Sequence, residues 1–363
     1  MAEADTHEQL EPLRRQIDEL DRQIVDLLNR RAEIVVQVGR IKNAGGAPVY
    51  SPDRERAVLK RICELNRGPL PEKTLIAIWR ELMSGSFALE KPLRIAYLGP
   101  EGSFSHLAAV GKFGSSIEYE SLSDIRGVFE EVARVHVDFG VVPIENSVGG
   151  GVIDTLDAFV ETDVKVCAEI NLAVHHNLLA NCPLEEIRKV YSKPEVFAQC
   201  QRWLTRTNFM GKTIAVASSS KAAEMATQEP YTAAIGSHLA GELYGLKVIC
   251  ANIEDNPNNV TRFFVIGREM PRPTGEDKSA IMFTTHHKAG ALAEVLGVFK
   301  ENGINLTFIT SRPSKRRNWE YYFFADAEGH VEDEAMKKAL PALKERCLEL
   351  HVLGSFPKAI EVE

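Results

Sequence analysis

The chain has 363 residues, with 43 basic against 51 acidic side chains and a net charge of −8, so at roughly 100–200 residues per domain it holds two or three domains. Its 26% charged and 44% hydrophobic residues fit a soluble globular protein and exclude disordered, collagen-like and coiled-coil classes, and the acidic balance argues against nucleic acid as a partner. No mostly apolar run reaches ~18 residues, so no membrane span is expected. The opening MAEADTHEQLEP lacks an apolar signal core, and six cysteines without a C-x-x-C pair predict no metal site and no disulfide framework, but reduced thiols in a cytoplasmic protein.

From Leu13 the apolar residues fall at 13, 17, 20, 24, 27, 34, 38 and 41, steps of four and three once Arg31 fills the gap, which predicts one long amphipathic helix of about 30 residues and ~45 Å. Gly45, Gly46 and Pro48 end it. Ser51-Pro52-Asp53 then supplies an N-cap, a proline at the first helical position and an early acid for a second helix, and a third runs from about Glu72 to Leu89. A helix this long cannot bury its stripe against so few partners, so a homodimer or a dimer-based oligomer is expected. Residues 10–61 hold 11 basic against 8 acidic side chains, which points to a small anionic ligand. Arg31 sits on the apolar seam and Lys42 lies three turns on, along the same face. Cations so placed need anionic partners, and from spacing alone a structural carboxylate serves as well as a ligand. Arg14 lies 17 residues from Arg31, ~25 Å along the axis, so if both serve one small ligand Arg14 must come from a partner chain. Ser86 and Glu90 fall four apart on the third helix where apolar residues would be expected.

The run Leu13-Arg14-Arg15-Gln16-Ile17-Asp18, Arg31, Val38-Gly39-Arg40-Ile41-Lys42 and Asp53-Arg54-Glu55-Arg56 resembles the all-helical chorismate mutases, whose intertwined three-helix dimer takes one arginine from the other protomer. The resemblance implies that Arg14 and Arg31 hold the two carboxylates of chorismate, that Lys42 faces the breaking ether oxygen, that Ser51 and Glu55 hold the ring hydroxyl, and that Arg54, Ser86 and Glu90 complete the pocket. Position 51 is often Asp in the family and position 90 often Gln. An ionised Glu90 beside an oxygen gaining negative charge would repel it, whereas a protonated one could donate a hydrogen bond, so Glu90→Gln is expected to flatten the pH dependence of the mutase.

Residues 93–269 alternate strand and helix patterns, with buried strands expected at 93–98, 139–144, 164–167, 213–217 and 233–235. LGPEGSFSH (98–106), VVPIENSVGG (141–150) and NVTRFFVIG (259–267) each put hydroxyl and amide side chains at a strand end, where such folds hold ligands. In this order, with YSKPEVFAQC (191–200), they resemble prephenate dehydratase, a two-lobed α/β fold like a periplasmic binding protein. The resemblance gives Thr261 the essential role, with Arg262 and Phe263 beside it, and matches Asn146, Ser192 and Gln199 to polar cleft residues that bind prephenate. A threonine hydroxyl cannot hand over a proton without a relay, so Thr261 is read as orienting the leaving hydroxyl and Glu145 as the proton source. The pairs His175-His176 and His286-His287 are read as strand neighbours pointing to opposite faces, hence poor metal chelates.

PRPTGEDK (271–278) reads as a linker, Lys315-Arg316-Arg317 as a solvated hairpin tip, and the order after residue 279 as βαββαβ, a ferredoxin-like α+β unit. Gly290-Ala291-Leu292 and Ser311-Arg312-Pro313 resemble the ACT domain, in which these segments flank a phenylalanine site. Thr310 and Ala293 replace the family's usual Glu and Val. The domains are thus expected at 1–91, 92–270 and 279–356: a bifunctional chorismate mutase and prephenate dehydratase, without cofactor, inhibited by phenylalanine. A dehydratase whose helical segment is mainly a dimerisation module, and a solute-binding protein without catalysis, are the alternatives.

Overall fold

The computed structural model describes residues 2–45, 48–314 and 320–359; the Lys315-Arg316-Arg317 tip and Trp319, where a strand was expected to start, lie outside the described residues. The first segment is three helices, α1 (Ala2–Gly45), α2 (Pro52–Leu65) and α3 (Glu72–Glu90). α1 begins at Ala2 rather than Leu13 and, at 44 residues, is ~66 Å long. Pro12 lies inside it, where it removes one backbone donor. Ser51 precedes α2 with extended backbone, as a cap should, but its hydroxyl makes no cap bond and turns to Asp53 Oδ1 instead. α3 crosses α1 closely at Gly39, where a Cβ would come 3.0 Å from Glu90 Cα. Among the described residues nothing covers the stripe before that crossing: Leu13, Ile17, Leu20, Ile24 and Leu27 are all more than half exposed.

The central segment has two lobes. The first holds β1 (Arg94–Leu98), α4 (Phe104–Phe113), β2 (Glu118–Leu122), α5 (Ile125–Ala133), β3 (Phe139–Asn146), β4 (Gly150–Gly151), α6 (Ile153–Glu161) and β5 (Lys165–Ala173). The second holds β6 (Asn177–Ala180), β7 (Lys189–Ser192), α7 (Pro194–Gln199), α8 (Gln201–Arg206), β8 (Thr213–Ala215), α9 (Ser219–Gln228), β9 (Thr232–Gly236), α10 (His238–Tyr244) and β10 (Lys247–Cys250). The chain then returns to the first lobe as β11 (Val260–Gly267). The sheets run β2-β1-β3-β11-β5, with β4 on β3, and β10-β6-β9-β7-β8. The chain therefore crosses between lobes twice, at 174–176 and 251–259. Ser103, Asp124, Ser218 and Ser237 each cap a helix by accepting a backbone N–H, as their side chains favour. The lobes touch where Ser237 Oγ donates to Gly102 O at 2.8 Å. Gly102 has φ +78°, and a Cβ there would come 3.0 Å from Ala240 Cα, so both backbone and contact call for glycine.

The last segment follows the expected order: β12 (Asp277–Thr284), α11 (Ala291–Glu301), β13 (Leu306–Pro313), β14 (Tyr321–Glu328), α12 (Glu334–Arg346) and β15 (Glu349–Pro357), with strands in the order β13-β14-β12-β15, all antiparallel. β12 starts inside the stretch read as a linker, because the Asp277 carboxylate accepts from Thr274 N, Thr274 Oγ1 and Gly275 N and closes a turn there. One core joins this sheet to the first lobe, Met282, Tyr322, Phe324 and Phe356 packing with Val166, Phe264 and Ile266. The approach is tight enough that a Cβ on Gly354 would lie 2.1 Å from Val166 O. The helical segment is anchored by Tyr50, which is 2% exposed and meets Phe87, Phe113 and Phe139 edge-on at 5.0–5.7 Å, pairs worth about 0.5–1.5 kcal/mol each. Among the described residues no helix is long and apolar enough to cross a membrane.

Candidate active sites

On the α1–α3 face, Arg31 Nη1 donates to Ser86 Oγ at 2.7 Å, and Ser86 Oγ donates in turn to Leu82 O. Lys42 Nζ lies 3.0 Å from Glu90 Oε2 and 3.1 Å from Val49 O, and Asn43 Nδ2 donates to Glu90 O. Burial lowers the Arg31 pKa, with Glu90 acting the other way. Four of the expected pocket residues, Arg31, Lys42, Ser86 and Glu90, therefore converge on one helix face. Arg14 and Arg54 are exposed. Glu55 is not: its carboxylate accepts from Tyr50 OH at 2.8 Å and from Lys112 Nζ at 2.7 Å. That correction has a tertiary cause, since the buried side of α2 (Pro52, Glu55, Leu59) faces α3 and β15, and Lys112 of α4 reaches Glu55 from the central segment. The Tyr50 hydroxyl is pushed well above its ordinary pKa, first by burial and then by Glu55.

In the cleft, Asn146 and Thr261 stand opposite each other on β3 and β11. Asn146 Oδ1 accepts from the backbone N–H groups of Val148 and Gly149 at 3.0 and 2.8 Å. Its Nδ2 must then be the donor, and it reaches Thr261 Oγ1 and Asn259 Oδ1, both at 2.8 Å. Thr261 Oγ1 is thus an acceptor toward Asn146, and its own proton stays available to donate. Gln199 joins from the second lobe: Asn259 Nδ2 lies 3.3 Å and His176 Nε2 2.6 Å from Gln199 Oε1.

The other expected cleft residues lie elsewhere. Glu145 pairs with Arg262 across the ladder; side chains alternate along a strand, so both point to the face opposite Thr261, and Glu145 is not placed to protonate a group held by that hydroxyl. Ser192 is fully buried and donates to Ile235 O at 2.8 Å, tying β7 to β9. Phe263 is a core residue, packed with Tyr97, Val141 and Ile170.

Arg262 is held between segments. Its Nε and Nη2 lie 2.9 and 2.8 Å from Glu169 Oε2, and its Nη1 lies 2.5 Å from Asp326 Oδ2 on β14. Lys278 Nζ completes the cluster 2.9 Å from Glu169 Oε1. Neither Arg262 Nη2 nor Asp326 Oδ2 is aligned for a hydrogen bond, so these two are ion contacts out of line. Arg262, expected in the cleft, is a bridge to the last segment.

In that segment Thr284, Tyr322 and Arg312 form one row across the sheet, which puts Ser311-Arg312-Pro313 at the same sheet end as the loop leading to Gly290, Ala291 and Leu292. Gly290 has φ +83° before α11. Arg312 is paired with Asp157 of α6, Nη2 to both carboxylate oxygens at 3.1 Å and Nε at 3.2 Å. His176 and Asp157 carried no motif, and Asn259, which opens the NVTRFFVIG stretch, was given no role. The one signal for His176 was a polar pair inside the largely apolar run from Ile170 to Ala180. Neither histidine of that pair is on a strand, and Glu254 takes both, His175 through Nδ1 and His176 through its backbone N–H.

Three family models match the chain: chorismate mutase type II over residues 13–91, prephenate dehydratase over 95–271 and the ACT domain over 279–345. The bifunctional chorismate mutase/prephenate dehydratase of Aquifex aeolicus is 43% identical over 97% of this chain and 99% of its own length. Among solved structures, the prephenate dehydratase of Arthrobacter aurescens in complex with L-Phe superposes with a TM-score of 0.67 at 31% identity, covering 73% of this chain and 90% of that one. A chain described as a novel type of quorum quenching acylase superposes with a TM-score of 0.68 at 26% identity, covering 73% and 98%. With the helical, two-lobed and C-terminal segments in that order and the likeness running almost end to end, the chain belongs to the bifunctional chorismate mutase/prephenate dehydratase family.

Proposed function

We infer that the chain rearranges chorismate to prephenate in its helical segment and converts prephenate to phenylpyruvate in its cleft, with phenylalanine acting through the last segment as feedback inhibitor. The observation that carries the reading is the Asn146–Thr261 pair, whose backbone-fixed polarity leaves a hydroxyl donor at the cleft. In the second reaction the ring carboxylate leaves as carbon dioxide, its bonding pair becomes ring π density, and the ring hydroxyl takes up one proton and leaves as water. Hydroxide is a poor leaving group, so a donor on that oxygen lowers the barrier, and Thr261 supplies one. The first reaction is pericyclic and needs only a compressed conformer and charge stabilisation at the ether oxygen. Arg31 and Lys42 provide the cations, and Arg14 comes from a partner protomer.

The bare stripe of α1 supports a dimer through this helix. Domain limits of 1–91, 92–270 and 279–356 accompany the reading. A cytoplasmic setting accompanies it too, supported by six cysteines that are all unpaired. One observation favours a second reading, in which the helical segment mainly dimerises and rearranges chorismate slowly: Glu55 is engaged by Lys112. Incubating the pure protein with chorismate or with prephenate, with and without phenylalanine, separates the two. Phenylpyruvate from both substrates, suppressed by phenylalanine, is the expected result. Phenylpyruvate from prephenate alone moves the conclusion to the second reading, and none from either overturns both.

A further inference from the structure

The cleft contains a buried histidine to which the dehydration assigns no role. His176 lies in the first crossover between lobes, is 1% exposed, and packs edge-on against Phe104 with ring centroids 5.5 Å apart. Its protonation state follows from donor and acceptor accounting that starts at the backbone. Val148 and Gly149 N–H fix Asn146 Oδ1 as an acceptor, so Asn146 Nδ2 donates and the Asn259 atom it reaches is the oxygen. Asn259 therefore turns its Nδ2 toward Gln199, and the Gln199 atom it meets is again the oxygen. His176 Nε2, 2.6 Å from that same oxygen, must carry a proton.

Two consequences follow. Gln199 Oε1 is filled by two donors, so its amide presents both N–H groups away from the network, as donors for a carboxylate. Of those two anchors the Asn259 contact is long at 3.3 Å and the His176 contact short at 2.6 Å, so His176 is what holds the amide in that orientation. The second ring nitrogen, Nδ1, is buried without a partner among the described residues. A bare acceptor there is tolerable, whereas protonating it would bury an unmet N–H donor. Burial, opposed by the Gln199 bond and Glu254, lowers the His176 pKa, in keeping with a neutral ring. Glu254 fixes the crossover from below, taking the His176 backbone N–H at 2.9 Å, and the Gln199 carbonyl accepts from Asp255 N. The bond thus joins both crossovers to the second lobe.

We propose that His176 is a positioning residue of the dehydratase site, which by donating from Nε2 to Gln199 Oε1 holds the Gln199 amide with its donors toward prephenate. This rests on the cleft being the dehydratase site, and wild-type turnover of prephenate checks that separately: without it the site reading fails, whatever His176 does.

Two measurements test the proposal on the full chain. Histidine ¹⁵N NMR is expected to show His176 as the neutral Nε2–H tautomer; the Nδ1–H tautomer would overturn it. His176→Phe is expected to lower dehydratase kcat by roughly 10- to 100-fold, the scale of a misplaced contact, while mutase turnover of the same preparation reports an intact chain. His176→Gln, which keeps an N–H donor, is expected to recover part of the loss. The deciding comparison is with Gln199→Met: if His176 acts through Gln199, the double variant is no slower than Gln199→Met alone. Losses that multiply, or His176→Phe within twofold of wild type, refute it.

Discussion

The two carboxylates that share Arg262 should respond in opposite ways when each is replaced by its amide. Glu169 has three hydrogen-bond donors, Arg262 Nε, Lys278 Nζ and Ala359 N, each at 2.9 Å, and an ion contact out of line from Arg262 Nη2 at 2.8 Å. Burial alone would raise its pKa, but Arg262, Lys278 and the Ala359 N–H hold it below the usual 4.5. Asp326 has Arg262 Nη1 in a short contact out of line, and there burial wins, pushing its pKa above 3.8 despite Arg262. Glu169→Gln would leave Arg262 and Lys278 facing a single carboxylate in the interior, and stripping one partner from a buried pair costs about 3–5 kcal/mol. Asp326→Asn removes a charge that the fold holds less well than water does, so it should stay within about 1 kcal/mol of wild type.

Scanning calorimetry at pH 7 reads the difference. At about 2–4 °C per kcal/mol for a unit of this size, Glu169→Gln should melt about 10 °C early and Asp326→Asn within a few degrees of wild type. The pH dependence gives a second check. The Glu169 contribution is complete above its unfolded pKa near 4.5 and is lost as pH falls through the lowered folded value. That of Asp326 runs the other way, complete below 3.8 and lost as pH rises through the raised folded value. Asp326→Asn should therefore gain on wild type as pH rises across that window. Equal losses for the two variants, or a larger loss for Asp326→Asn, would refute this division of the network.

Three further outcomes are expected. Thr261→Val removes the hydroxyl donor at the leaving group and should lower dehydratase kcat by about 100- to 1,000-fold, with mutase turnover unchanged; a value within threefold of wild type removes Thr261 from that role. Asp157→Asn frees Arg312 from a part-exposed pair worth no more than about 1 kcal/mol, so half-inhibition should need about three- to fivefold less phenylalanine, and a rise instead would show that the pair assists the effector. If α1 dimerises through its bare stripe as proposed, Ile24→Glu puts a charge there twice; gel filtration should show a monomer, with mutase activity down at least about 100-fold, the loss expected when the proposed trans Arg14 is withdrawn. A dimer with wild-type mutase activity would place the interface elsewhere.

The segment order and the ferredoxin-like unit were legible because each rests on local pattern, the four-three spacing of α1 and βαββαβ in the last segment, whereas the one cap expected, Ser51, makes no cap bond. Strands such as Glu118–Leu122 and Lys247–Cys250 were not legible, being short sheet-edge strands none of whose residues is buried. Of the expected pocket residues, Arg31, Lys42, Ser86 and Glu90, which meet on one helix face, could be picked out from helical periodicity. Glu55 could not, because its partner Lys112 lies 57 residues away on another segment. His176 was misjudged because its neighbour was assumed to share a strand with it, whereas the chain is there crossing between lobes. Ser192 shows the limit of motif matching: a hydroxyl in the right stretch can still be occupied by the sheet that carries it.

β11 ties these corrections together. Read as a strand, its sequence Val-Thr-Arg-Phe-Phe assigns neighbours to opposite faces, Thr261 and Phe263 to one and Arg262 and Phe264 to the other. Phe263 packs in the core beside Tyr97 and Ile170, and Phe264 in the core shared with the last segment. Arg262 lies over Phe264, its guanidinium carbon 4.9 Å from the ring centre. Thr261 and Arg262 thus share a peptide bond while one serves the cleft and the other grips Asp326 of the regulatory sheet. Any shift of that sheet that pulls on Arg262 must act on the strand carrying Thr261, because the side chain is held at both ends and the core around it is close-packed. Such coupling is an equilibrium property: if phenylalanine weakens prephenate binding by this route, prephenate must weaken phenylalanine binding by the same factor. Equilibrium binding of each ligand at saturating levels of the other measures both factors, and unequal values would mean that inhibition acts on turnover and not on affinity.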